Sequence, residues 1–102
     1  RKAVLENFPN ESKVILLSIL SNKDYQAFIE EMLKITDLII VTEFLDPRVT
    51  KIKDIKKTFP NLIYLKDLDE AYKMMLSLNK DYNLITGSIH FIGYFKNKYF
   101  NK

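Results

Sequence analysis

Short apolar runs alternate with amphipathic segments along almost the whole chain of 102 residues. Runs of about four to eight apolar, often β-branched residues are typical of strands buried on both faces, as they are in parallel sheets. The sequence holds four such runs, at 13–20, 38–42, 62–65 and 82–86. This alternation limits the choice of fold, because each run must be covered on both sides.

The segments around these runs carry apolar residues at helical spacing, each with one apolar stripe. Helices are predicted at 2–8, 25–36 and 49–59, after a cap at Asp67 or Asp69, and after Ser88. Strictly alternating strands and helices predict a single α/β domain over residues 1–102, a three-layer Rossmann-like fold with a mainly parallel sheet of about four strands.

The strand order follows from the handedness of the crossovers. With right-handed connections, the commonest winding gives the order third, second, first, fourth, and the direction of winding reverses between the first and fourth strands. Ligands of open α/β sheets bind beyond the carboxyl ends of the strands at such a switch point. The loops after the first and fourth strands, 21–24 and 86–88, should therefore border one crevice.

Each of these two loops leads into a helix, whose free N–H groups favour an anion. We therefore predict an anion or carboxylate site lined by Lys23 and Ser88, with Asp24 beside Lys23 and His90 one turn into the last helix. Structural interpretations stand beside the functional ones. Asp24 and Ser88 are ordinary helix-capping residues, Lys23 can be a solvated lysine, and His90 can be an exposed structural histidine.

Arg48 follows Asp46 and Pro47 in the loop after the second strand. It is a candidate for contact with a partner domain, and a solvated loop arginine is the alternative. The chain has no cysteine and one histidine, so it holds no cysteine-based or histidine-cluster metal site and no disulfide. It also lacks both glycine-rich phosphate loops, GxGxxG and GxxxxGK[ST], so we expect no nucleotide bound by either device. We also expect no catalytic residue within the chain.

Charge and hydropathy exclude two classes of partner. The 16 basic and 13 acidic residues are interleaved, which indicates solvated faces and not a nucleic-acid surface. No apolar run approaches the roughly 20 residues that span a membrane. The chain begins at Arg1 and not at a methionine, so we expect it to be part of a longer protein.

Three segments, taken in order, resemble the folylpolyglutamate and dihydrofolate synthases of the Mur ligase superfamily. Residues 18–24 (SILSNKD) are similar to the family's strand and DKD segment, with Asn22 in place of the usual Asp. The strand 40–42 followed by Asp46-Pro47-Arg48 resembles the family's loop ending in Pro-Arg. Residues 84–93 (LITGSIHFIG) resemble its TGS-[LF]-[HY]-x-[VI]-G segment.

The resemblance implies the C-terminal domain of a cytoplasmic ligase of folate metabolism, and the heavy use of Lys, Asn and Ile indicates a bacterial source. Such an enzyme uses ATP and Mg²⁺ to convert the acceptor carboxylate of folate to an acyl phosphate, which the glutamate amine then attacks. The family's phosphate loop and DGAHN segment have no counterpart in this sequence. The N-terminal ATP-binding domain of the same protein is thus an implied partner, and the chain alone is expected to be inactive and to bind no ATP.

Carried over residue by residue, the resemblance makes Lys23 a cation near the glutamate carboxylates, with Asp24 matching beside it. Ser88 would donate a hydrogen bond to the same amino acid, and His90 would lie on the rim. The alternatives are a Mur peptide ligase domain, which typically carries a more serine-rich segment where 86–88 stands, and a flavodoxin-like binding or interaction module without enzymatic activity.

Overall fold

The computed structural model of the chain describes residues 12–20 and 24–100. The strands are β1 (Lys13–Ser18), β2 (Ile39–Val41), β3 (Ile63–Tyr64) and β4 (Tyr82–Gly87), and the helices are α1 (Tyr25–Leu33), α2 (Ile52–Thr58), α3 (Leu68–Ser77) and α4 (Ile89–Tyr99). The helix predicted at 2–8 lies outside the described residues.

The four strands form one parallel sheet in the order β3-β2-β1-β4. This order confirms the predicted one, and with it the predicted α/β class. β1 and β4 pair along six residues, from Lys13 opposite Tyr82 to Ser18 opposite Gly87. The winding therefore reverses between β1 and β4, as the switch-point argument required.

β1 is buried on both faces, and its alternating side chains enter two separate cores. Val14 and Leu16 join a cluster with residues of α3 and α4, whereas Ile15 and Leu17 join a cluster with residues of α1 and α2. Full burial of one such aliphatic side chain stabilises the fold by about 1.5–3 kcal/mol. The two clusters are the physical basis of the predicted three layers.

One helix starts later than predicted because its first predicted residues form backbone contacts with another segment. The helix predicted to start at residue 49 starts at Ile52, because Val49 forms an antiparallel bridge with Leu20 and the Thr50 N–H donates to the Ile19 carbonyl at 2.7 Å. The segment after the β2 loop thus returns to the end of β1 before α2 begins.

The start of α2 is capped from a distance. Its N-cap residue, Lys51, makes no side-chain capping bond, and the Glu43 carboxylate accepts the Ile52 N–H at 3.0 Å instead. The Lys51 ammonium lies 3.8 Å from the same carboxylate. Because an acceptor at an N-terminus offsets unsatisfied N–H groups, Glu43 ties the loop after β2 to α2.

Candidate functional site

The carboxyl ends of β1 and β4 meet in close backbone contact. The Ser88 N–H donates to the Ser18 carbonyl at 3.1 Å, directly after the last β1–β4 pair. Gly87 has a φ of 121°, in the region that favours glycine, and a Cβ there would lie 2.1 Å from the Ser18 carbonyl oxygen. Glycine at 87 is what lets the chain turn into α4 at this point.

Ser88 is the N-cap of α4. Its side chain accepts the His90 N–H at 3.1 Å, and the residue is buried. His90 itself is exposed in the first turn of the helix. The capping role anticipated for Ser88 is therefore present, and the ligand contacts of both residues stay predictions.

The other predicted loop leads into α1. Asp24 is exposed, and its carboxylate accepts the Ala27 N–H at 3.1 Å as the N-cap of that helix. Lys23 lies outside the described residues. Because β1 and β4 are neighbours, the helices that Asp24 and Ser88 cap both start at the carboxyl edge of the sheet, beyond adjacent strands.

The loop after β2 is anchored to α4 by aromatic contacts. The Phe44 ring lies 5.2 Å from the Phe91 ring and 5.7 Å from the Tyr94 ring, centroid to centroid. Such tilted pairs contribute about 0.5–1.5 kcal/mol beyond the area they bury. They hold the residues after Phe44, including Arg48, on the same side of the sheet as α4.

Arg48 forms a tight pair with Asp46 in this loop. Its backbone N–H and Nε donate to Asp46 Oδ1 at 2.8 and 3.1 Å, and Nη2 donates to Oδ2 at 2.9 Å. This pairing lowers the pKa of Asp46 to about 2, mainly through the side-chain hydrogen bonds from Arg48, then its backbone N–H and its charge. The charge of His90 contributes in the same direction, so the pair lies within electrostatic reach of the start of α4.

The structure therefore brings Arg48, Ser88 and His90 to one edge of the sheet. The sequence argument named all three but did not place Arg48 near the other two, and it gave no role to Asp46 or Phe44. Asp46 could have been found from its spacing, since an aspartate two residues before an arginine can accept both the backbone and the guanidinium donors.

A pH titration checks the Asp46–Arg48 pair. The folded pKa lies below the unfolded value of 3.8, so the pair's contribution to stability is fully present above about pH 4 and disappears as the pH falls through about 2. Carbon-detected NMR of the Asp46 carboxyl should show a midpoint near pH 2. Asp46→Asn should remove that pH dependence, whereas a midpoint near 4 would mean that the pair does not form in solution.

An open groove with a volume of about 1010 Å³ runs beside this loop. It is lined by the β2 loop, the start of α3 and the middle of α4. The apolar lining residues include Phe44, Leu68 and Tyr94, and the charged ones include Lys51 and Lys66. Leu45 lies on the lining with 84% of its surface exposed. The groove adds an amphipathic surface to the edge that carries Arg48.

Two kinds of feature are missing from the part of the chain that the structure describes. In residues 12–20 and 24–100, no three His, Asp or Glu side chains are placed to hold a metal ion. Across the same ranges, no helix has the length and apolar character needed to cross a bilayer.

The fold and the edge described above define a class, the parallel three-layer α/β domain in which the winding of the sheet reverses between adjacent β1 and β4. One solved structure that shares this fold is that of Mycobacterium tuberculosis folylpolyglutamate synthase complexed with ADP and AMPPCP, with a TM-score of 0.83 and 16% sequence identity. The match covers 99% of this chain and 26% of that protein, so the chain spans about a quarter of its length.

This likeness confirms the fold that the resemblance to folylpolyglutamate synthases implied. No protein-family model matches the sequence, and no curated protein matches it either. The ADP and AMPPCP of that structure are ligands of the mycobacterial enzyme.

Proposed function

We propose that this chain is the C-terminal domain of an ATP-dependent ligase that adds glutamate to folate or folylpolyglutamate, and that it holds the incoming glutamate. The adjacency of β1 and β4 carries the proposal, since it brings the carboxyl end of β1 and Ser88 to one switch point. The ordered family-like motifs and the shared fold with a folylpolyglutamate synthase support it.

In this proposal, the residues at the edge act on the two carboxylates and the amine of glutamate. Lys23 and Arg48 supply positive charge. Arg48 pairs with Asp46 in the free chain and would bind a substrate carboxylate in place of the Asp46 carboxylate. Ser88 adds a polar contact at the start of α4, and His90 lies on the rim. Fixing the amino acid in this way orients its amine toward the acceptor, and orientation is a large part of what a ligase domain contributes to rate.

ATP and Mg²⁺ belong to the other domain of the proposed parent enzyme, where they supply the activation of the acceptor carboxylate. This chain has no glycine-rich phosphate loop, so its residues are given no step in that activation. The proposal therefore makes the isolated chain a glutamate-binding unit without ATPase or ligase activity. Measurable ATP turnover by the 102 residues alone would contradict it.

A glutamate titration of the chain, followed by ¹⁵N–¹H NMR, tests the proposal. We expect saturable shifts at the starts of α1 and α4 with a dissociation constant in the millimolar range, on the order of −4 kcal/mol. Lys23→Ala should weaken binding about tenfold, because it removes a charge-assisted contact.

Lys53→Ala is the matched control, since it removes the same charge from an exposed position in α2. Its glutamate affinity should equal that of the wild type. Equal losses in both variants would indicate a general charge effect, and an unchanged affinity in Lys23→Ala would remove Lys23 from the site. A titration without saturable shifts would overturn the glutamate-binding role.

A further inference from the structure

We infer that Ser18 is an additional ligand-binding residue, whose hydroxyl donates to the carboxylate of the amino acid held at the start of α4. This inference rests on the proposed function and adds a residue to which neither the motifs nor the family resemblance gave a role. Ser18 is fully buried, and its Oγ has no hydrogen-bond partner among the described residues. Buried hydroxyls are nearly always paired, so an unpaired one beside a candidate site is available to a ligand.

The position of Ser18 places this hydroxyl at the candidate site. Ser18 is the last residue of β1, and side chains two and four residues earlier, Leu16 and Val14, enter the core that α4 helps to form. Because side chains alternate along a strand, Ser18 points to that same side. Its carbonyl accepts the N–H of Ser88, so Ser18 lies beside the N-cap of α4.

The first turn of α4 supplies further donors. The N–H of His90 is taken by the Ser88 hydroxyl, and the N–H of Ile92 by the Ser88 carbonyl. The N–H groups of Ile89 and Phe91 lie in the same first turn, where a helix supplies no acceptor of its own. With the Ser18 hydroxyl they make a small group of donors at the positive end of an eleven-residue helix, an arrangement that favours a carboxylate.

Thr50 provides the matched control. Its Oγ1 is the second buried side-chain oxygen without a partner among the described residues. Thr50 lies in the segment between β2 and α2, where its N–H donates to the Ile19 carbonyl, and it is not at the start of α4. Thr50→Val therefore removes a similar unpaired hydroxyl at the same edge of the sheet without touching the proposed carboxylate contact.

The experiment is a glutamate titration of the whole chain in three forms, wild type, Ser18→Ala and Thr50→Val, with urea unfolding of each without ligand. Ser18→Ala should weaken glutamate binding about tenfold, the effect of losing one hydrogen bond to a charged group. Thr50→Val should bind like the wild type. Neither variant should be less stable without ligand, because each loses a buried polar group that has no partner.

The outcomes separate this inference from the function on which it rests. If the wild type binds glutamate and Ser18→Ala binds equally well, Ser18 is not in the site and the proposed function stands. A purely structural role for Ser18 would change the unfolding midpoint and leave the affinity alone, which also overturns the inference. If the wild type shows no saturable binding, the proposed function fails, and the Ser18 assignment fails with it.

Discussion

Replacing Gly87 with alanine is expected to lower the free energy of unfolding by about 3 kcal/mol or more. The added Cβ would lie 2.1 Å from the Ser18 carbonyl oxygen and about 3 Å from other Ser18 backbone atoms, so a flexible side chain cannot move away to admit it. The φ of 121° adds strain of about 1–3 kcal/mol for a residue with a side chain. Relief requires the end of β4 to separate from β1, which also displaces the start of α4.

Gly93→Ala is the control for this substitution, since it makes the same chemical change within α4. No neighbouring atom lies within 4 Å of a Cβ at that position, and a glycine inside a helix costs about 0.5–1 kcal/mol relative to alanine. Gly93→Ala should therefore raise the urea midpoint while Gly87→Ala lowers it. If Gly87→Ala stays within about 1 kcal/mol of the wild type, the close β1–β4 contact is absent in solution.

Phe91→Ala is expected to cost about 3–5 kcal/mol in unfolding free energy, the usual range for removing a buried phenylalanine. Phe91 is fully buried, and its ring contacts Phe44 at 5.2 Å and Phe95 at 6.3 Å. The cavity would open between α4 and the loop that carries Arg48. Urea unfolding measures the loss, and hydrogen exchange should show faster exchange at 44–50 than in the wild type.

Ile89→Ala, two residues earlier on the same helix, should change stability by less than about 0.5 kcal/mol, because Ile89 is 81% exposed. Comparing Phe91→Ala with Ile89→Ala separates the effect of burial on stability from the effect of helix propensity. A similar cost for both substitutions would show that the packing of α4 on the sheet differs from the one described. Phe91→Leu, which keeps most of the apolar volume, should recover a large part of the loss.

Much of the fold could be predicted from the sequence because few arrangements satisfy its local patterns. Four apolar runs joined by amphipathic helices leave a parallel sheet with two covered faces, and right-handed crossovers then leave few strand orders. The helix starts at Asp24 and Ser88 were also local, since a capping side chain bonds an N–H two or three residues later.

The candidate site was predicted only in part, because local patterns fix the order of the strands but not the packing of loops on helices. The sequence predicted Asp24 and Ser88 at one edge of the sheet, because that placement depends on strand order alone. It did not place the loop that carries Arg48 against α4, because that contact depends on how Phe44 packs against Phe91 and Tyr94. Side-chain packing between loops and helices has no short-range signature in the sequence.

The sequence by itself determined the element types and their order in the sheet. The tertiary structure decided three other features: the cap of α2 by Glu43 from nine residues away, the Val49–Leu20 bridge that delays that helix, and the unpaired hydroxyl of Ser18. Periodicity and handedness act within one element or one crossover, whereas these features require the whole sheet to be assembled before the partners meet.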